Sequence, residues 1–153
     1  MKFLVVSDSH GYIENMLSAI DYEVPDVILH LGDHIGDCRD IEKMYPEILL
    51  RSVRGNCDGR TPGLDIDEFV LENKRFMMTH GHLFNVKLGR TDIKKTAINR
   101  GVDILLFGHT HTRHHTVVDG MIILNPGSIG KGTNEYAIIE IKDGVVECEL
   151  KSV

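Results

Sequence analysis

Val102-Asp103-Ile104-Leu105-Leu106-Phe107-Gly108-His109-Thr110-His111 joins a short apolar run to two histidines across a single glycine. The run is rich in branched residues and ends abruptly, which predicts a buried strand that delivers both imidazoles to its carboxyl end. Imidazole is the commonest neutral metal ligand, so two from one tight turn can face one ion or two adjacent ions. Alone, a His-x-His pair is more often a polar turn, so the prediction depends on what the other strands contribute.

Four further apolar runs end in the same way, each followed at once by side chains that can bind metal. The runs and the side chains that follow them are Lys2–Ser7 with Asp8 and His10, Val27–Leu31 with Asp33, Ile48–Val53 with Asn56, and Arg75–Thr79 with His80. Taken singly, each is an ordinary turn or cap residue. Ligands of open α/β sheets bind at the carboxyl ends of strands, so five such ends together predict one shared site.

The predicted ligand set combines carboxylates, imidazoles and one amide. Such a set suits Mn, Fe, Zn, Co or Ni ions and differs from the thiolate set of a structural zinc site. Seven ligands are too many for one small ion, but they suit two ions that share a carboxylate at roughly 3.5–4 Å separation. The sequence therefore predicts two divalent transition-metal ions, with Mn²⁺ as the first candidate and Ni²⁺, Fe²⁺, Zn²⁺ or Co²⁺ as alternatives.

Strand and helix patterns alternate over the first third of the chain, which predicts parallel strands joined by helical crossovers. One helical face follows the first strand, and Asp37–Tyr45 is predicted to be a second helix with Ile41 and Met44 facing inward. Beyond Leu64 the turns Glu72-Asn73-Lys74, Asp119-Gly120 and Lys142-Asp143-Gly144 predict three antiparallel hairpins. Thr91–Arg100 is predicted to be a helix, capped by Thr91 or Asp92 and closed by Gly101.

These elements predict an α/β sandwich of two mixed sheets with helices outside, formed as one domain over residues 1–153. The hydrophobic fraction of 42% and charged fraction of 26% are ordinary for a globular protein. A net charge of −6 disfavours non-specific binding to duplex nucleic acid or anionic lipid. Three distant cysteines predict no disulfide framework, and no apolar stretch is long enough to span a membrane or act as a signal peptide. We therefore expect a cytoplasmic protein.

The order of these motifs resembles the signature of the calcineurin-like metallophosphoesterases. The matching motifs are Asp8-x-His10, Gly32-Asp33, Gly55-Asn56-x-Asp58, His80, Gly108-His109-x-His111 and the loop Asn125-Pro126-Gly127-Ser128. The short chain and Thr79-His80-Gly81-His82 are most similar to the small bacterial and archaeal phosphodiesterases. The resemblance implies a four-layer α/β/β/α sandwich, the metallophosphoesterase fold.

The resemblance also implies how the ligands divide between the two ions. One ion would be held by Asp8, His10, Asp33 and His111. The other would be held by Asp33, Asn56, His80 and His109, so that Asp33 is the bridge. His109 and His111 would then serve different ions.

Cys57 departs from the wider superfamily, in which many members carry a histidine after this asparagine. A thiol is a poorer proton donor to a leaving alkoxide than an imidazolium. Members of the small phosphodiesterase group often carry the same cysteine, so the change indicates a subgroup and leaves the general acid open; a plain strand-end role is an equal alternative. Asp58 is expected to orient Asn56 or Cys57 from outside the ligand set.

Several other polar residues lie near the motifs. For His34 and His82, beside ligands, supporting or exposed roles are favoured over substrate contact. Arg54 and Arg60 can either clamp a phosphate or remain solvated. A basic stretch is expected to be a solvated helix face, and two further histidines are expected at the rim; these residues are Lys87, Arg90, Lys94, Lys95, Arg100, His114 and His115.

The function predicted from these observations is a metal-dependent phosphoric diester hydrolase that acts on small phosphodiesters, with cyclic or other nucleotides as candidates. A metal-activated hydroxide would attack phosphorus in line with the leaving alkoxide. The alternatives are a phosphomonoesterase or small nuclease with the same centre, and a non-catalytic interaction scaffold of the same fold. A serine hydrolase using Ser7 or Ser9 would lack a nucleophile elbow. An edge strand between Val117 and Leu150 can pair with a second copy of the chain, so a homo-oligomer is a further expectation.

Overall fold

Ten strands form two five-stranded sheets in the computed structural model, which describes all 153 residues. The first sheet contains β1 (Lys2–Val6), β2 (Val27–His30), β3 (Leu49–Ser52), β9 (Glu135–Lys142) and β10 (Val145–Ser152). The second contains β4 (Ile66–Leu71), β5 (Lys74–Thr79), β6 (Ile104–Phe107), β7 (His114–Val118) and β8 (Met121–Asn125). The spatial orders are β10-β9-β1-β2-β3 and β4-β5-β6-β8-β7.

Both sheets are mixed, and each combines three adjacent parallel strands with two further strands that pair antiparallel. In the first sheet β1, β2 and β3 run parallel, and in the second sheet β5, β6 and β8 do. The antiparallel hairpins turn at Glu72–Asn73, Asp119–Gly120 and Asp143–Gly144, where both residues have positive φ. Such two-residue turns match the twist of the strands that they join, which explains why the three predicted hairpins form.

The two sheets pack face to face and helices cover their outer faces. Between the sheets lies a fully buried cluster that includes Phe3, Leu29, Phe76 and Leu106. Helices α1 (Ile13–Glu23) and α2 (Cys38–Met44) pack on the first sheet, and α3 (Thr91–Asn99) packs on the second. The predicted four-layer α/β/β/α sandwich is therefore confirmed. Each fully buried large apolar side chain in these layers contributes about 1.5–3 kcal/mol to stability.

Two local predictions were wrong. Met44 is 55% exposed, because the side of α2 that faces the first sheet carries Cys38 and Ile41 and continues to Tyr45, the residue after the helix. At the start of α3 neither Thr91 nor Asp92 is the cap, since the helix follows Arg90 without a side-chain capping bond. None of the helices has the length and apolar content that a membrane-crossing helix needs.

Candidate metal centre

The carboxyl ends of β1, β2, β3, β5 and β6 bring the predicted ligands to one edge of the sandwich. Three groups of three residues each have potential ligand atoms within 4.8 Å of one another. The groups are Asp8 with His10 and His111, Asp8 with Asp33 and His80, and His10 with Asp33 and Cys57. Asp8, Asp33 and His80 are buried, whereas His10 and His111 are exposed. The shared carboxylates Asp8 and Asp33 therefore lie at the middle of the cluster.

The two oxygens of Asp33 have different surroundings. Oδ1 accepts a hydrogen bond from the backbone N–H of Cys57 at 2.8 Å. Oδ2 lies 3.5 Å from His80 Nε2 and 4.0 Å from His10 Nε2. Burial would raise the pKa of Asp33, but the Cys57 N–H bond and the nearby imidazoles outweigh it and lower the pKa. Asp33 is thus a carboxylate with one anchored oxygen and one oxygen facing two histidines.

Asp8 has a buried oxygen without a hydrogen-bond donor. Its Oδ2 accepts bonds from Ser7 Oγ and from the backbone N–H of His109, the latter at 3.2 Å. Its Oδ1 has no hydrogen-bond partner, although His111 Nε2 lies 3.0 Å away and His80 Nε2 lies 3.9 Å away. A buried carboxylate oxygen without a partner is energetically costly. A cation between these atoms would remove that cost, so the residues fit a bound metal.

His80 and His109 lie next to each other, and the orientation of His80 is fixed. His80 Nδ1 donates to the carbonyl of Leu31 at 2.8 Å, which leaves the Nε2 lone pair facing His109 Nδ1 at 3.1 Å. Metal-binding histidines commonly donate their second nitrogen to such an acceptor. Burial, together with His80 and Lys87, lowers the pKa of His109 to about 4, so this imidazole is neutral at neutral pH. A neutral imidazole is the form that binds metal.

The two histidines of the turn after β6 face different partners, His109 facing His80 and His111 facing Asp8. The His10 and His111 rings lie 5.5 Å apart on the exposed side. Both turn histidines have positive φ, as do Asp8, His10 and Asp33. Asp, Asn and His tolerate this backbone conformation better than most residues do. The turn can therefore aim two neighbouring side chains at two positions.

Two glycines allow the ligand loops to approach each other closely. A Cβ at Gly55 would lie 2.0 Å from Asp33 Oδ1, and a Cβ at Gly108 would lie 2.0 Å from Ser7 Oγ. No side chain larger than hydrogen fits at either position. The Gly-Asn and Gly-His pairs of the sequence motifs are thus explained by packing as well as by the ligands that follow them.

Asn56 and Cys57 are exposed beside Asp33, and Asn56 Nδ2 lies 3.4 Å from Cys57 Sγ. Burial and the neighbouring Asp33 raise the pKa of Cys57 to about 11, so its thiol is protonated at neutral pH. Asp58 is buried, and its carboxylate accepts three backbone bonds, from Asp33 at 3.0 Å, Ile35 at 2.8 Å and Gly55 at 2.7 Å. Asp58 thus holds the backbone of Asp33 and of Gly55, the residue before Asn56, and makes no direct bond to the side chain of Asn56 or Cys57.

A buried network around His30 was missed by the sequence analysis. His30 is fully buried, its Nδ1 accepts from Gly32 N–H at 3.2 Å, and its Nε2 therefore donates to Ser9 Oγ at 3.1 Å. Ser9 Oγ donates in turn to Asp37 Oδ2 at 2.7 Å, which also accepts from Gly11 N–H at 3.0 Å. The network ties the loop that carries His10 to the end of β2. The available signal was a histidine inside the otherwise apolar run Val27–Leu31.

Asn125 holds the turn that carries His109 and His111. It is fully buried, and its Nδ2 donates to Gly108 O at 2.9 Å and to Thr110 Oγ1 at 3.1 Å. The sequence analysis noted its loop only as part of the family resemblance. The geometry assigns Asn125 the role of fixing this turn.

The remaining polar candidates lie around the cluster. The exposed His34 ring is 5.6 Å from His10, and the half-buried His82 ring is 5.5 Å from His80. Arg54 is paired with Asp65 through Nε at 3.1 Å and Nη2 at 2.7 Å, so it is neither fully solvated nor free of a carboxylate partner.

The other basic candidates lie farther along the chain. Arg60 is exposed in the loop after Asp58. Arg100 pairs with Glu68, and His114 lies on edge strand β7 beside Phe107. His115 is exposed on the same strand.

Comparison with known proteins identifies the family. The model of the calcineurin-like phosphoesterase superfamily domain matches residues 1–144. A probable metallophosphoesterase from Mycoplasma pneumoniae is 34% identical over 84% of this chain and 79% of its own length. A phosphodiesterase from Escherichia coli K12 is 32% identical over 88% of this chain and 83% of its own length.

A solved structure supports the same assignment. A conserved protein of Streptococcus pneumoniae, described as a predicted phosphoesterase, superposes with a TM-score of 0.81 at 28% identity. The match covers 99% of this chain and 88% of that protein. Members of this superfamily use divalent metal ions, and the cluster described above has side chains that could hold them. The chain belongs to the calcineurin-like phosphoesterase superfamily, as its sequence motifs predicted.

Proposed function

We propose that this protein is a phosphodiesterase that depends on two divalent metal ions and hydrolyses small phosphodiesters. The observation that carries the proposal is the position of Asp33 Oδ2, which faces both His10 and His80. Its partner oxygen is held by the Cys57 N–H, so Oδ2 is the oxygen left to face the histidines. A carboxylate oxygen between two imidazoles is the arrangement expected of a bridging ligand.

In this proposal the ligands divide as the family resemblance implies. Asp8, His10, Asp33 and His111 would hold one ion, and Asp33, Asn56, His80 and His109 would hold the other. The unpartnered Oδ1 of Asp8 beside His111 supports the first set. The close pair of His80 and His109 supports the second. Carboxylate and imidazole donors suit Mn²⁺, Ni²⁺, Fe²⁺, Zn²⁺ or Co²⁺, among which Mn²⁺ is the first candidate.

Bound divalent ions would supply Lewis acidity, which lowers the pKa of water and neutralises charge on a phosphate. The chain's own residues would position the reactants. Asp58 holds the backbone of Asp33, and Asn125 holds the turn of the two histidines. Asn56 and Cys57 are exposed beside Asp33, so Cys57 would contact the ester, and Asn56 would do so in addition to its role as a ligand. No nucleophilic side chain is needed in this scheme, since water is the nucleophile.

The preference for diesters is supported by the Escherichia coli relative, which is named a phosphodiesterase. Phosphomonoesterase activity with the same ligands is the main alternative, and a non-catalytic scaffold is the other. Two measurements distinguish the diesterase from these alternatives. One is the metal content of the protein, and the other is its rate of hydrolysis of the diester bis(p-nitrophenyl) phosphate compared with the monoester p-nitrophenyl phosphate. Each substrate should be assayed with Mn²⁺, Ni²⁺ and Mg²⁺.

The decisive variant is Asp33→Asn, since an amide keeps an oxygen for the Cys57 N–H but replaces the second oxygen with a donor. We expect it to bind less metal and to lose at least about 100-fold in kcat/KM, as expected when a bridging ligand is lost. Asp119→Asn, in an exposed hairpin turn, is the matched control. Full activity of Asp33→Asn would refute the two-metal proposal, and a preference for the monoester would refute the diesterase proposal. Wild-type protein that neither binds metal nor hydrolyses either ester would instead support the scaffold.

A further inference from the structure

A cavity of about 220 Å³ opens beside the candidate metal centre, next to His10 and His111. Tyr12 and Lys131 form another part of its wall, with the Lys131 ammonium 5.6 Å from the centroid of the Tyr12 ring. Both of these residues are exposed. The other lining residues are Ser9, Ser128, Gly130 and Thr133. One space therefore connects two proposed metal ligands with an aromatic ring and a cation.

The walls of this cavity are held in place by buried and half-buried hydrogen bonds. Asn15, near the start of α1, donates from Nδ2 to the carbonyl of Ile129 at 2.8 Å. Ser128 Oγ donates to the carbonyl of Asp8 at 3.0 Å. The loop between β8 and β9 is thus tied both to the ligand loop and to the helix that begins after Tyr12. A subsite built in this way needs little rearrangement on binding, which favours affinity.

The charge of the cavity suits an anionic ligand. Its lining has one cationic group, the Lys131 ammonium, and contains no carboxylate, although the whole chain has a net charge of −6. The lining has one large hydrophobic surface, the ring of Tyr12, which is 36% exposed. A ligand that combines a phosphate with a planar ring matches both features.

We propose that this cavity binds the organic group that the substrate retains after hydrolysis, and that it favours an aromatic group such as a nucleobase stacked on Tyr12. The inference rests on the proposed function, since it names the substrate class of the same site. Stacking tolerates different bases because every base has a π-face. The cavity should therefore favour nucleoside diesters over alkyl diesters without selecting one base.

Two diesters with the same leaving group test this inference. Thymidine 5′-(p-nitrophenyl phosphate) and methyl p-nitrophenyl phosphate both release p-nitrophenolate when water attacks phosphorus. They therefore differ only in the retained group, which is thymidine in one and methyl in the other. We expect wild-type kcat/KM to favour the thymidine ester about tenfold, within the range of base–aromatic stacking. Tyr12→Ala should remove this preference by raising KM, whereas Tyr12→Phe should keep it.

Tyr22→Ala is the matched control. Tyr22 lies on α1, and the Lys151 ammonium lies 5.4 Å from its ring centroid, but it lines a different cavity. Its substitution should leave the preference unchanged. Equal efficiency of wild-type protein on the two diesters, or the same loss on both in Tyr12→Ala, would overturn the inference.

Equilibrium binding separates this inference from the proposed function. Binding of thymidine 5′-monophosphate to Mn²⁺-loaded protein, measured by titration calorimetry, should weaken about tenfold in Tyr12→Ala. Binding that is unchanged in this variant would overturn the subsite. Absence of hydrolysis of both esters by wild-type protein would count against the proposed function alone, because the binding result still decides the subsite.

Discussion

Gly55→Ala should disrupt the metal centre without changing any proposed ligand. The backbone of Gly55 has φ −101° and ψ −179°, which alanine adopts freely, so the effect of the substitution is steric. The added Cβ would lie 2.0 Å from Asp33 Oδ1 and 2.5 Å from Asp33 N, whereas ordinary contact begins at 3.4 Å. Asp33 and residue 55 must therefore separate by about 1.4 Å, well beyond the roughly 0.5 Å that functional sites tolerate.

This displacement has two measurable consequences. A misplacement of about 1 Å can lower activity about 100-fold, so kcat/KM for bis(p-nitrophenyl) phosphate should fall at least that much. The bond from Cys57 N–H to the Asp33 carboxylate should also weaken, which should lower the free energy of unfolding by about 1.5–3 kcal/mol. Metal content by mass spectrometry and urea unfolding measure the effects on the centre and on stability separately.

Gly36→Ala is the matched control, because a Cβ at Gly36 would meet nothing within 4 Å. It lies in the short 3-10 helix Ile35–Asp37, close in sequence to Asp33. A Gly55→Ala protein that binds as much metal as Gly36→Ala, with kcat/KM within about threefold of it, would refute the steric argument.

Three further predictions concern residues outside the proposed ligand set. Asp58→Ala leaves three buried N–H groups without their acceptor, so urea unfolding should show a loss of about 3 kcal/mol or more; a smaller loss would show that water replaces the carboxylate. Ser9→Ala breaks the bonds to His30 and Asp37, and Mn²⁺ titration should show about tenfold weaker affinity; unchanged affinity would contradict its positioning role. Burial tends to raise the pKa of Glu23, but hydrogen bonds from Lys151, Lys2 and Tyr136 outweigh burial and lower the pKa below 4.5. The ionised Glu23 carboxylate therefore stabilises the fold fully at pH values above its unfolded pKa of 4.5. This stabilisation is lost as the pH falls through the lower pKa that Glu23 has in the folded protein. The stability difference from Glu23→Gln should shrink over that acid range, and a constant difference would refute the assignment.

The strands and the proposed ligands could be predicted because their signals are local in the chain. An apolar run, a glycine and a polar side chain occur within a few residues, as in Leu31-Gly32-Asp33 and Phe107-Gly108-His109. The order of these motifs along the chain then matched the signature of the family. The hairpins could be predicted for the same reason, since their turn residues are adjacent.

Partners that are distant in sequence could not be predicted. Asp58 bonds to the backbone of Asp33, 25 residues away, because both loops leave neighbouring parallel strands. Arg54 is occupied by Asp65 for a similar reason, since the chain returns beside β3 and Leu64 pairs with Val53. Such contacts form between loops that leave different strands, so no pattern within one short stretch of sequence records them.

The left-handed backbone at five of the proposed ligands limits how the centre can diverge. A replacement such as cysteine, which would favour softer metals, costs about 1 kcal/mol or more of backbone strain at Asp8, His10, Asp33, His109 or His111. His80 and Asn56 do not have positive φ, so replacement there adds no such strain. Substitution of His80 or Asn56 is therefore the change by which this fold could most easily acquire a different metal preference, in nature or by design.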